Sequence, residues 1–268
     1  MGKGSLVVIG TGIKTVGQLT VEAIAWMQKA DKLLYVVGDP VAKETITQLN
    51  PEGAESLSDL YAEGKPRIET YNQMVERVVE CVRSGMLTCL ACYGHPGVFV
   101  YPSHEAIRRV RSEGYSAKML PGISAEDCLF ADLGIDPAIN GCQSYEATDF
   151  FVNGRKIDPT SSVILWQIGV VGDATYKKNG YDLSAFPLLL ERLLQYYPAN
   201  HTVYLYEAAV YPGCEPVIQS VPLYALGQAG LSASQTLYIP PAYPTTFDYA
   251  MYYRMNLAGS SSIIKQGL

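Results

Sequence analysis

Long apolar runs are missing from this sequence. No segment approaches the roughly 18 consecutive apolar residues that a membrane-spanning helix needs. The N-terminal residues also lack a signal-type apolar segment followed by a cleavage site. We therefore predict no membrane span and expect a cytoplasmic protein.

Charge is also scarce. Charged residues make up 17% of the chain, and the net charge of −6 argues against nucleic acid or an anionic membrane as the main partner. Hydrophobic residues make up 48% of the 268 residues, which is enough for one large core or two smaller ones. Tyrosine is abundant, with 20 residues against 6 phenylalanines, and suits both half-buried packing and pockets with a polar edge.

The cysteines lack the paired spacing of a zinc site. The only CxxC motif, Cys89 and Cys92, has no second pair at a suitable distance along the chain. Residues three apart on a strand also point to opposite faces of the sheet. We predict buried, reduced thiols and no metal site.

The strongest pattern lies between residues 86 and 127. Residues 86–92 predict a buried strand that ends in the turn-rich sequence YGHPG. A helix at 103–114 and a second strand at 115–120 follow, and SAED at 124–127 is typical of a helix capping box. Ligands bind at the carboxyl ends of strands in open α/β sheets, so both loops are predicted to form half of a cofactor pocket.

The N-terminal segment predicts a strand, a glycine loop, a helix and a second strand. Residues 5–9 are apolar, GTG follows, and the next elements are predicted at 20–29 and 32–37. Thr15 stands where a dinucleotide fingerprint has its third glycine, so GTG alone is a weak signal. This order of elements favours a parallel sheet covered by helices.

A polar loop at residues 49–70 precedes an amphipathic helix that ends at Gly85. Loops of this length are often functional, and this one carries Tyr61 and Arg67. If the helix begins near Thr70, Arg67 lies just before it and Tyr71 lies in its first turn, so both can face one space. The pattern alone favours the plainer alternative of a solvated Arg67 and a packing Tyr71.

Strands predominate after a turn-rich connector at residues 134–141, which marks a boundary. The second half is therefore predicted to form a mixed sheet with few helices. The predicted strands are 141–147, 161–168, 202–207 and 236–239, and the predicted helices are 186–197 and 247–257. The predicted domains are an N-terminal α/β subdomain at 1–136, a C-terminal mixed-sheet subdomain at 137–242 and a helical tail at 243–268.

Together these stretches resemble the tetrapyrrole methylases, which are class III methyltransferases that use S-adenosylmethionine. GTG, the later QLT helix start, YGHPGVF and PGISA carry the resemblance. It implies an α/β fold of two subdomains, with a mostly parallel N-terminal sheet, a mixed C-terminal sheet and the cofactor in the cleft between them. The cofactor-binding residues that it implies are Gly94, His95, Val98, Phe99, Ser124, Ala125, Gln167, Tyr206, Ser234 and Thr236. For His95 the alternative is a turn residue satisfied by the backbone.

The chain is most similar to one branch, the borosin peptide α-N-methyltransferases, over roughly residues 4–242. The sequences that carry this similarity are YGHPGVFVYPSHEAIRRVRSEGYSAKMLPGISAEDCLFADLGIDP, GKPRIETY, QSYEA and LYIPP. Many tetrapyrrole methylases have Gly-Asp-Pro where this chain has Gly94-His95-Pro96, which favours the borosin branch. The resemblance implies iterative methylation of backbone amides in a ribosomally made precursor peptide, with S-adenosylhomocysteine as the product.

The resemblance is to the split bacterial type, because about 26 residues follow Ala242, too few for the clasp domain and core peptide of the fungal fusions. It implies a precursor supplied in trans to a homodimer, which would form a heterotetramer with it.

The expected chemistry is demanding, because resonance with the carbonyl makes an amide nitrogen a poor nucleophile. The site must remove the N–H proton, stabilise the oxyanion and align nitrogen with the methyl carbon. The key residues of the family fall on Tyr61, Arg67, Tyr71 and Tyr93. As a hypothesis, Tyr71 accepts the proton, and Arg67 lowers its pKa or holds the amide oxygen. Tyr61 and Tyr93 then orient the amide.

Two alternatives remain. The first is a C- or O-methyltransferase of the same fold that acts on a tetrapyrrole or another small molecule. A macrocycle with many carboxylates would want several basic residues, which this acidic chain does not offer in an obvious way. The second is a binding module that holds a peptide without turnover, and such a module would release no S-adenosylhomocysteine.

Overall fold

The computed structural model describes residues 4–255, which divide into two compact units. The first unit extends to Asp132 and also contains residues 174–179 and 208–216. The remaining described residues form the second unit. The predicted division after residue 136 assigns both short segments to the second subdomain, whereas both pack with the first unit. The local sequence of these segments gave no sign of such long-range contacts.

The first unit contains a parallel five-stranded sheet with helices around it, as the order of predicted elements indicated. Its strands are β1 (Ser5–Gly10), β2 (Lys32–Val36), β3 (Ala54–Ser56), β4 (Leu87–Cys92) and β5 (Ser116–Met119), in the order β3-β2-β4-β1-β5. Its helices are α1 (Thr15–Gln18), α2 (Val21–Lys29), α3 (Pro40–Leu49), α4 (Arg67–Arg83), α5 (Tyr101–Ser112) and α6 (Ala125–Leu133), with a 3-10 turn at Ser58–Leu60.

Both faces of this sheet are buried at its three central strands, because alternate residues of β1, β2 and β4 enter different clusters. Val8 of β1 packs with side chains of α4 and α5, whereas Ile9 packs with side chains of α2 and α3. Burial on both faces explains why the strands read as continuous apolar runs. Cys89 lies in one cluster and Cys92 in the other, which confirms the predicted opposite orientation of the two thiols.

Helix α4 begins at Arg67, earlier than the sequence predicted. Pro66 precedes it with a φ of −55°, which already suits a helical chain. The backbone N–H of Arg67 donates to the carbonyl of Ala174 at 2.9 Å, so a distant segment satisfies a donor that a helix start leaves open. The predicted apolar face of this helix is confirmed. Its buried residues include Met74, Val75, Val78, Val79 and Val82.

The second unit contains a mixed sheet, as predicted. Its central strand pairs are antiparallel, and one edge strand is parallel to its neighbour. Its strands are β6 (Cys142–Glu146), β7 (Ser162–Trp166), β8 (Thr202–Glu207), β9 (Val217–Pro222) and β10 (Thr236–Ile239), in the order β6-β7-β10-β8-β9. Its helices are α7 (Pro137–Asn140), α8 (Ala147–Val152), α9 (Phe186–Leu193) and α10 (Tyr249–Arg254), with 3-10 turns at Ile168–Val170 and Leu223–Gln228.

The predicted helical tail is covered only in part. Helix α10 lies within the predicted helix at 247–257, and residues 256–268 lie outside the described residues. None of the helices within residues 4–255 combines the length and apolar character that a membrane crossing requires.

Candidate active site

Three glycines allow the ends of β1, β4 and β5 to approach each other closely. They are Gly10, Gly94 and Gly122, and we call them the glycine junction. A Cβ atom added to Gly10 would lie 2.2 Å from the carbonyl oxygen of Gly94 and 3.0 Å from the Cα of Gly122. A Cβ added to Gly122 would lie 2.8 Å from the Cα of Gly10. Real Cβ atoms essentially never lie closer than 3.0 Å to such atoms, so Gly10 and Gly122 require glycine for space, and Gly94 has a φ of 70° that favours glycine.

Backbone hydrogen bonds hold the turn after β4. The N–H of Gly94 donates to the carbonyl of Gly12 at 3.0 Å, and the N–H of Gly12 donates to that of Gly94 at 3.3 Å. Nδ1 of His95 accepts from the N–H of Gly97 at 2.9 Å. This bond places the proton of a neutral His95 ring on Nε2. The contact agrees with the turn role considered for His95, whose cofactor role stays a prediction.

Backbone strain marks two of the predicted cofactor residues. Phe99 has a φ of 54° and Gln167 has a φ of 60°, and within residues 4–255 no other non-glycine residue has a positive φ. An aromatic residue in this region is unusual, and such strain is concentrated at functional sites. Val98, which precedes Phe99, donates its N–H to the carbonyl of His95 at 3.2 Å and closes the turn.

The second predicted loop contains the expected capping box. The hydroxyl and the N–H of Ser124 each donate to the Asp127 carboxylate at 2.7 Å, and the N–H of Asp127 donates back to the Ser124 hydroxyl at 3.2 Å. These bonds begin α6 at Ala125 beside Gly122 of the glycine junction. Ser124 is therefore fixed at the carboxyl end of β5, where the sequence placed it.

Three predicted catalytic tyrosines line one cavity of about 170 Å³. They are Tyr61, Tyr71 and Tyr93, and with Arg67 we call them the tyrosine cluster. Phe99 lines the same cavity, so a predicted cofactor residue adjoins the predicted catalytic ones. The other lining residues are Val36, Met74, Leu90, Cys92, Val100 and Pro102. The lining thus combines apolar walls with phenol groups.

Tyr61 is a phenol whose surroundings favour the protonated form. Burial raises the pKa of Tyr61 well above its usual value, and the neighbouring Tyr71, to which it is hydrogen-bonded, raises the pKa further. The positive charge of Arg67 acts in the opposite direction and favours the phenolate, but burial outweighs it, so the pKa of Tyr61 stays raised. The ring centroids of Tyr61 and Tyr71 are 6.5 Å apart in an edge-to-face arrangement. At neutral pH Tyr61 is therefore a hydrogen-bond donor rather than a base.

Arg67 is held in place from outside its own helix. Its side-chain Nε donates to the carbonyl of Thr175 at 3.0 Å, and its backbone N–H donates to that of Ala174. The guanidinium therefore has a fixed orientation at the first residue of α4. The plainer alternative of a solvated surface cation does not describe it, because Arg67 is partly buried and bonded.

Two further tyrosines, which the sequence analysis did not single out, contact the cluster. Tyr176 packs on Tyr61 with ring centroids 4.8 Å apart, and Tyr101 stacks on Tyr71 at 6.2 Å. Tyr101 lies at the start of α5, directly after the YGHPGVFV stretch, and proximity to that stretch could have indicated it. Tyr176 carries no such signal, because its contact depends on chain segments more than a hundred residues apart.

The predicted cofactor residues of the second unit gather at one end of its sheet. Thr236 of β10 pairs directly with Tyr206 of β8, and both side chains are buried. Gln167 follows the neighbouring strand β7 at the same end. The loop that carries Ser234 packs against the turn after Gln167, since a Cβ added to Gly169 would lie 2.0 Å from the carbonyl oxygen of Ser232.

The CxxC cysteines are buried thiols. Burial raises the pKa of both Cys89 and Cys92 to about 12, so both remain protonated at neutral pH. All six cysteines of the described chain are free of disulfides. Among residues 4–255, no three His, Cys, Asp or Glu side chains are grouped as a metal site.

Comparison with known proteins places the chain in a family. The model of the tetrapyrrole (corrin/porphyrin) methylases matches residues 5–222, and the chain belongs to this family. Solved structures share the fold. A uroporphyrin-III-C-methyltransferase from Thermus thermophilus matches with a TM-score of 0.64 and 17% identity, over 94% of this chain and 96% of that one. The cobalt precorrin-4 methyltransferase of cobalamin biosynthesis matches with a TM-score of 0.64 and 14% identity, over 89% of this chain and 95% of that one.

Curated relatives are much more similar in sequence. The methyltransferase/ribosomally synthesized cyclic peptide dendrothelin A precursor of Dendrothele bispora is 45% identical over 242 residues, which are 89% of this chain and 58% of that protein. The corresponding omphalotin A precursor of Omphalotus olearius is 43% identical over 242 residues, with the same coverage of 89% and 58%. The chain thus spans rather more than half the length of these relatives.

Proposed function

We propose that this chain is an S-adenosylmethionine-dependent methyltransferase that N-methylates backbone amides of a ribosomally made precursor peptide. The observation that carries the proposal is the tyrosine cluster. Three phenols line one mostly apolar cavity, and a fixed guanidinium acts electrostatically on one of them. The names of the curated relatives, which combine a methyltransferase with a cyclic peptide precursor, support the same conclusion.

The cluster offers the two groups that methylation of an amide nitrogen needs, a hydrogen-bond donor for the amide oxygen and an acceptor for the N–H proton. Tyr61 keeps its proton and can donate a hydrogen bond to the amide oxygen as negative charge develops there. Tyr71, which is hydrogen-bonded to Tyr61 in the same cavity, takes the role of proton acceptor for the amide N–H. Arg67 does not line the cavity but acts electrostatically on Tyr61, and in this proposal its charge stabilises negative charge on the cluster. Tyr93 orients the amide plane.

The glycine junction and the strained turn suit S-adenosylmethionine, which supplies an electrophilic methyl group when bound. Bare backbone at Gly94 and the left-handed conformation of Phe99 lie beside the phenols, where the methyl donor must approach the amide nitrogen. Ser124 and Ala125 contribute the helix start beside the junction. In the second unit, Gln167, Tyr206, Ser234 and Thr236 keep their predicted role in holding this cofactor.

A peptide fits the cavity better than a tetrapyrrole does. The lining residues include no Lys or Arg, whereas a macrocycle with many carboxylates calls for several cations. We propose that the peptide is supplied in trans, that several amides are methylated in turn, and that the enzyme acts as a homodimer, which would form a heterotetramer with the precursor. The proposed setting is the cytoplasm.

The decisive experiment is intact mass spectrometry of a candidate precursor peptide after incubation with the protein and S-adenosylmethionine. Methyl-sized increments that fragmentation assigns to backbone nitrogens are expected. A Tyr71→Phe protein serves as the matched control and should give far smaller increments after the same incubation. Methyl transfer to a tetrapyrrole but not to any peptide would replace the proposal with the small-molecule alternative. Cofactor binding without any release of S-adenosylhomocysteine would indicate a binding module.

A further inference from the structure

The loop between Tyr61 and Arg67 has one described backbone hydrogen bond of its own, from the N–H of Lys65 to the carbonyl of Ala62 at 3.1 Å. Residues Glu63 and Gly64 are exposed, and Gly64 has a φ of 73° with no atom within 4 Å of an added Cβ. An exposed glycine in an open environment adds conformational freedom rather than order. Yet this loop joins two residues of the tyrosine cluster, so its conformation decides where they lie.

A distant segment, residues 174–178, restrains the loop further, and we call it the clamp segment. The N–H of Gly64 donates to the carbonyl of Tyr176 at 2.8 Å, and the N–H of Tyr176 donates to that of Lys65 at 2.9 Å. The N–H of Arg67 donates to the carbonyl of Ala174 at 2.9 Å. This pattern is a short antiparallel pairing, with Pro66 opposite Thr175.

Side chains extend the same contact to both ends of the loop. The ring of Tyr176 packs on Tyr61 at 4.8 Å, and the carbonyl of Thr175 accepts from Nε of Arg67 at 3.0 Å. The N–H of Lys178 donates to the Glu63 carboxylate at 2.7 Å. The clamp segment therefore contacts the phenol, the guanidinium and the loop between them.

The opposite side of the loop is anchored to α4 and to the preceding turn. Nζ of Lys65 donates to the side-chain oxygen of Gln73 at 2.6 Å and to the carbonyl of Leu60 at 2.8 Å. These bonds fix the distance between the loop and helix α4, but neither of them involves the ring of Tyr61. The lateral position of that ring depends on its tilted ring contact with Tyr176 and on its contact with Tyr71.

We propose that the clamp segment positions the tyrosine cluster for catalysis and that Tyr176 is its main positioning residue. This inference rests on the proposed function and deepens it, because it adds a residue that acts through Tyr61 and Arg67 without contacting substrate. Tyr176 sets the ring plane of Tyr61, and the backbone beside it sets the direction of the Arg67 guanidinium. Small displacements of such groups cost rate rather than binding.

The test compares Tyr176→Ala with Tyr176→Phe, which keeps the ring and therefore the ring contact with Tyr61. Tyr176→Ala is expected to lower kcat for peptide methylation roughly 10- to 100-fold with the KM for S-adenosylmethionine unchanged. Tyr176→Phe should retain the activity of the original chain. Tyr224→Ala is the matched control. Tyr224 lies in the second unit with 60% of its surface exposed, so its removal should change neither kcat nor the KM for S-adenosylmethionine.

Amide hydrogen exchange gives a readout that needs no substrate. In Tyr176→Ala, peptides that cover residues 61–67 should lose protection, while peptides of β1 and β4 keep theirs. Glu63→Ala removes the bond to Lys178 without touching either catalytic side chain and should show a smaller loss in the same place. Unchanged exchange together with unchanged kcat in Tyr176→Ala would overturn the proposal, as would an equal loss of kcat in Tyr176→Phe and Tyr176→Ala. If the original chain methylates no peptide but residues 61–67 lose protection in Tyr176→Ala, the structural role of the clamp segment is supported and the proposed function fails.

Discussion

The glycine junction and the tyrosine cluster lie side by side in the first unit but are built in opposite ways. The junction forms because three strand ends carry no side chains, so that backbone packs against backbone. The cluster forms because side chains from α4, the loop before it and the turn after β4 converge on one cavity. Substitutions should therefore affect stability first at the junction and rate first at the cluster.

The largest expected effect comes from the cluster. Tyr71→Phe should lower the rate of peptide methylation roughly 10²- to 10⁴-fold, because it removes the proposed proton acceptor and keeps the ring. Its unfolding free energy should fall by only about 1 kcal/mol, the net contribution of one hydrogen bond with Tyr61. Single-turnover kinetics and urea denaturation measure the two quantities.

Tyr224→Phe removes an exposed hydroxyl and should change neither the rate nor the stability. A Tyr71→Phe protein with full turnover would remove Tyr71 from the role of proton acceptor. A large loss of stability would show that the cluster, like the junction, is part of the framework of the fold.

Gly10→Ala should have the largest effect on stability. The added methyl group would lie 2.2 Å from the carbonyl oxygen of Gly94 and 2.9 Å from the ring of Pro96, so backbone must move. Such overpacking costs about 1–3 kcal/mol of unfolding free energy, which urea denaturation measures. Gly38→Ala is the matched control, since no atom lies within 4 Å of its added Cβ.

Gly38→Ala should be neutral or slightly stabilising, because alanine loses less entropy on folding. Equal stability of the Gly10 and Gly38 variants would mean that the strand ends can separate without cost. The close approach would then not be the reason for glycine at position 10.

The contrast between the two regions also explains what could be predicted from the sequence. Strands β1, β2, β4 and β5, the capping box at Ser124 and the apolar face of α4 follow from local patterns, which are short apolar runs, helical spacing and turn residues. The glycine junction lies where those patterns end. The sequence therefore located it within a few residues.

The local pattern brought Arg67 and Tyr71 together, but the catalytic assignment of the cluster came from the resemblance, and its geometry depends on contacts between distant segments. Nothing near Tyr176 indicates that it packs on Tyr61, and helix α4 starts at Arg67 because Pro66 and the clamp segment support an earlier start. Helix α3 and strand β9 were also not predicted. The apolar residues of β9 are mostly exposed, so β9 lacks the alternation that a half-buried strand shows.

A moderate effect on stability and on cofactor binding is expected at Ser124, which lies beside the glycine junction and is a predicted cofactor residue. Ser124→Ala removes the hydroxyl that caps α6 and should lower the unfolding free energy by about 1 kcal/mol. Thr20→Ala removes the corresponding cap of α2 and should cost a similar amount. Only the Ser124 variant should weaken binding of S-adenosylmethionine, which isothermal titration calorimetry measures. Equal affinity of the two variants would assign Ser124 a structural role alone.

The smallest effect concerns an ion pair that fixes α4, the helix that carries Arg67 and Tyr71. Arg77 donates to the Glu55 carboxylate through two bonds of 2.7 and 2.8 Å, and Lys32 lies 2.6 Å from the same group. The hydrogen bond with Arg77, followed by that with Lys32, lowers the pKa of Glu55 from 4.5 to about 2, although partial burial opposes this. Because the folded-state pKa is depressed, the stabilisation is present above pH 4.5 and is lost as the pH falls towards about 2.

Arg77→Gln should therefore cost less than about 1 kcal/mol of unfolding free energy at neutral pH, since water screens this half-exposed pair. The difference from the original chain should shrink as the pH falls from about 4.5 to about 2, as urea denaturation at several pH values will show. Arg111→Gln is the control, because Arg111 bonds only to the carbonyl of Ala117 among the hydrogen bonds described for its side chain, and that group does not titrate. A cost for Arg77→Gln that stays constant with pH would mean that this arginine stabilises α4 by packing rather than by charge. The helix that carries the tyrosine cluster would then be held by close packing, as the glycine junction is.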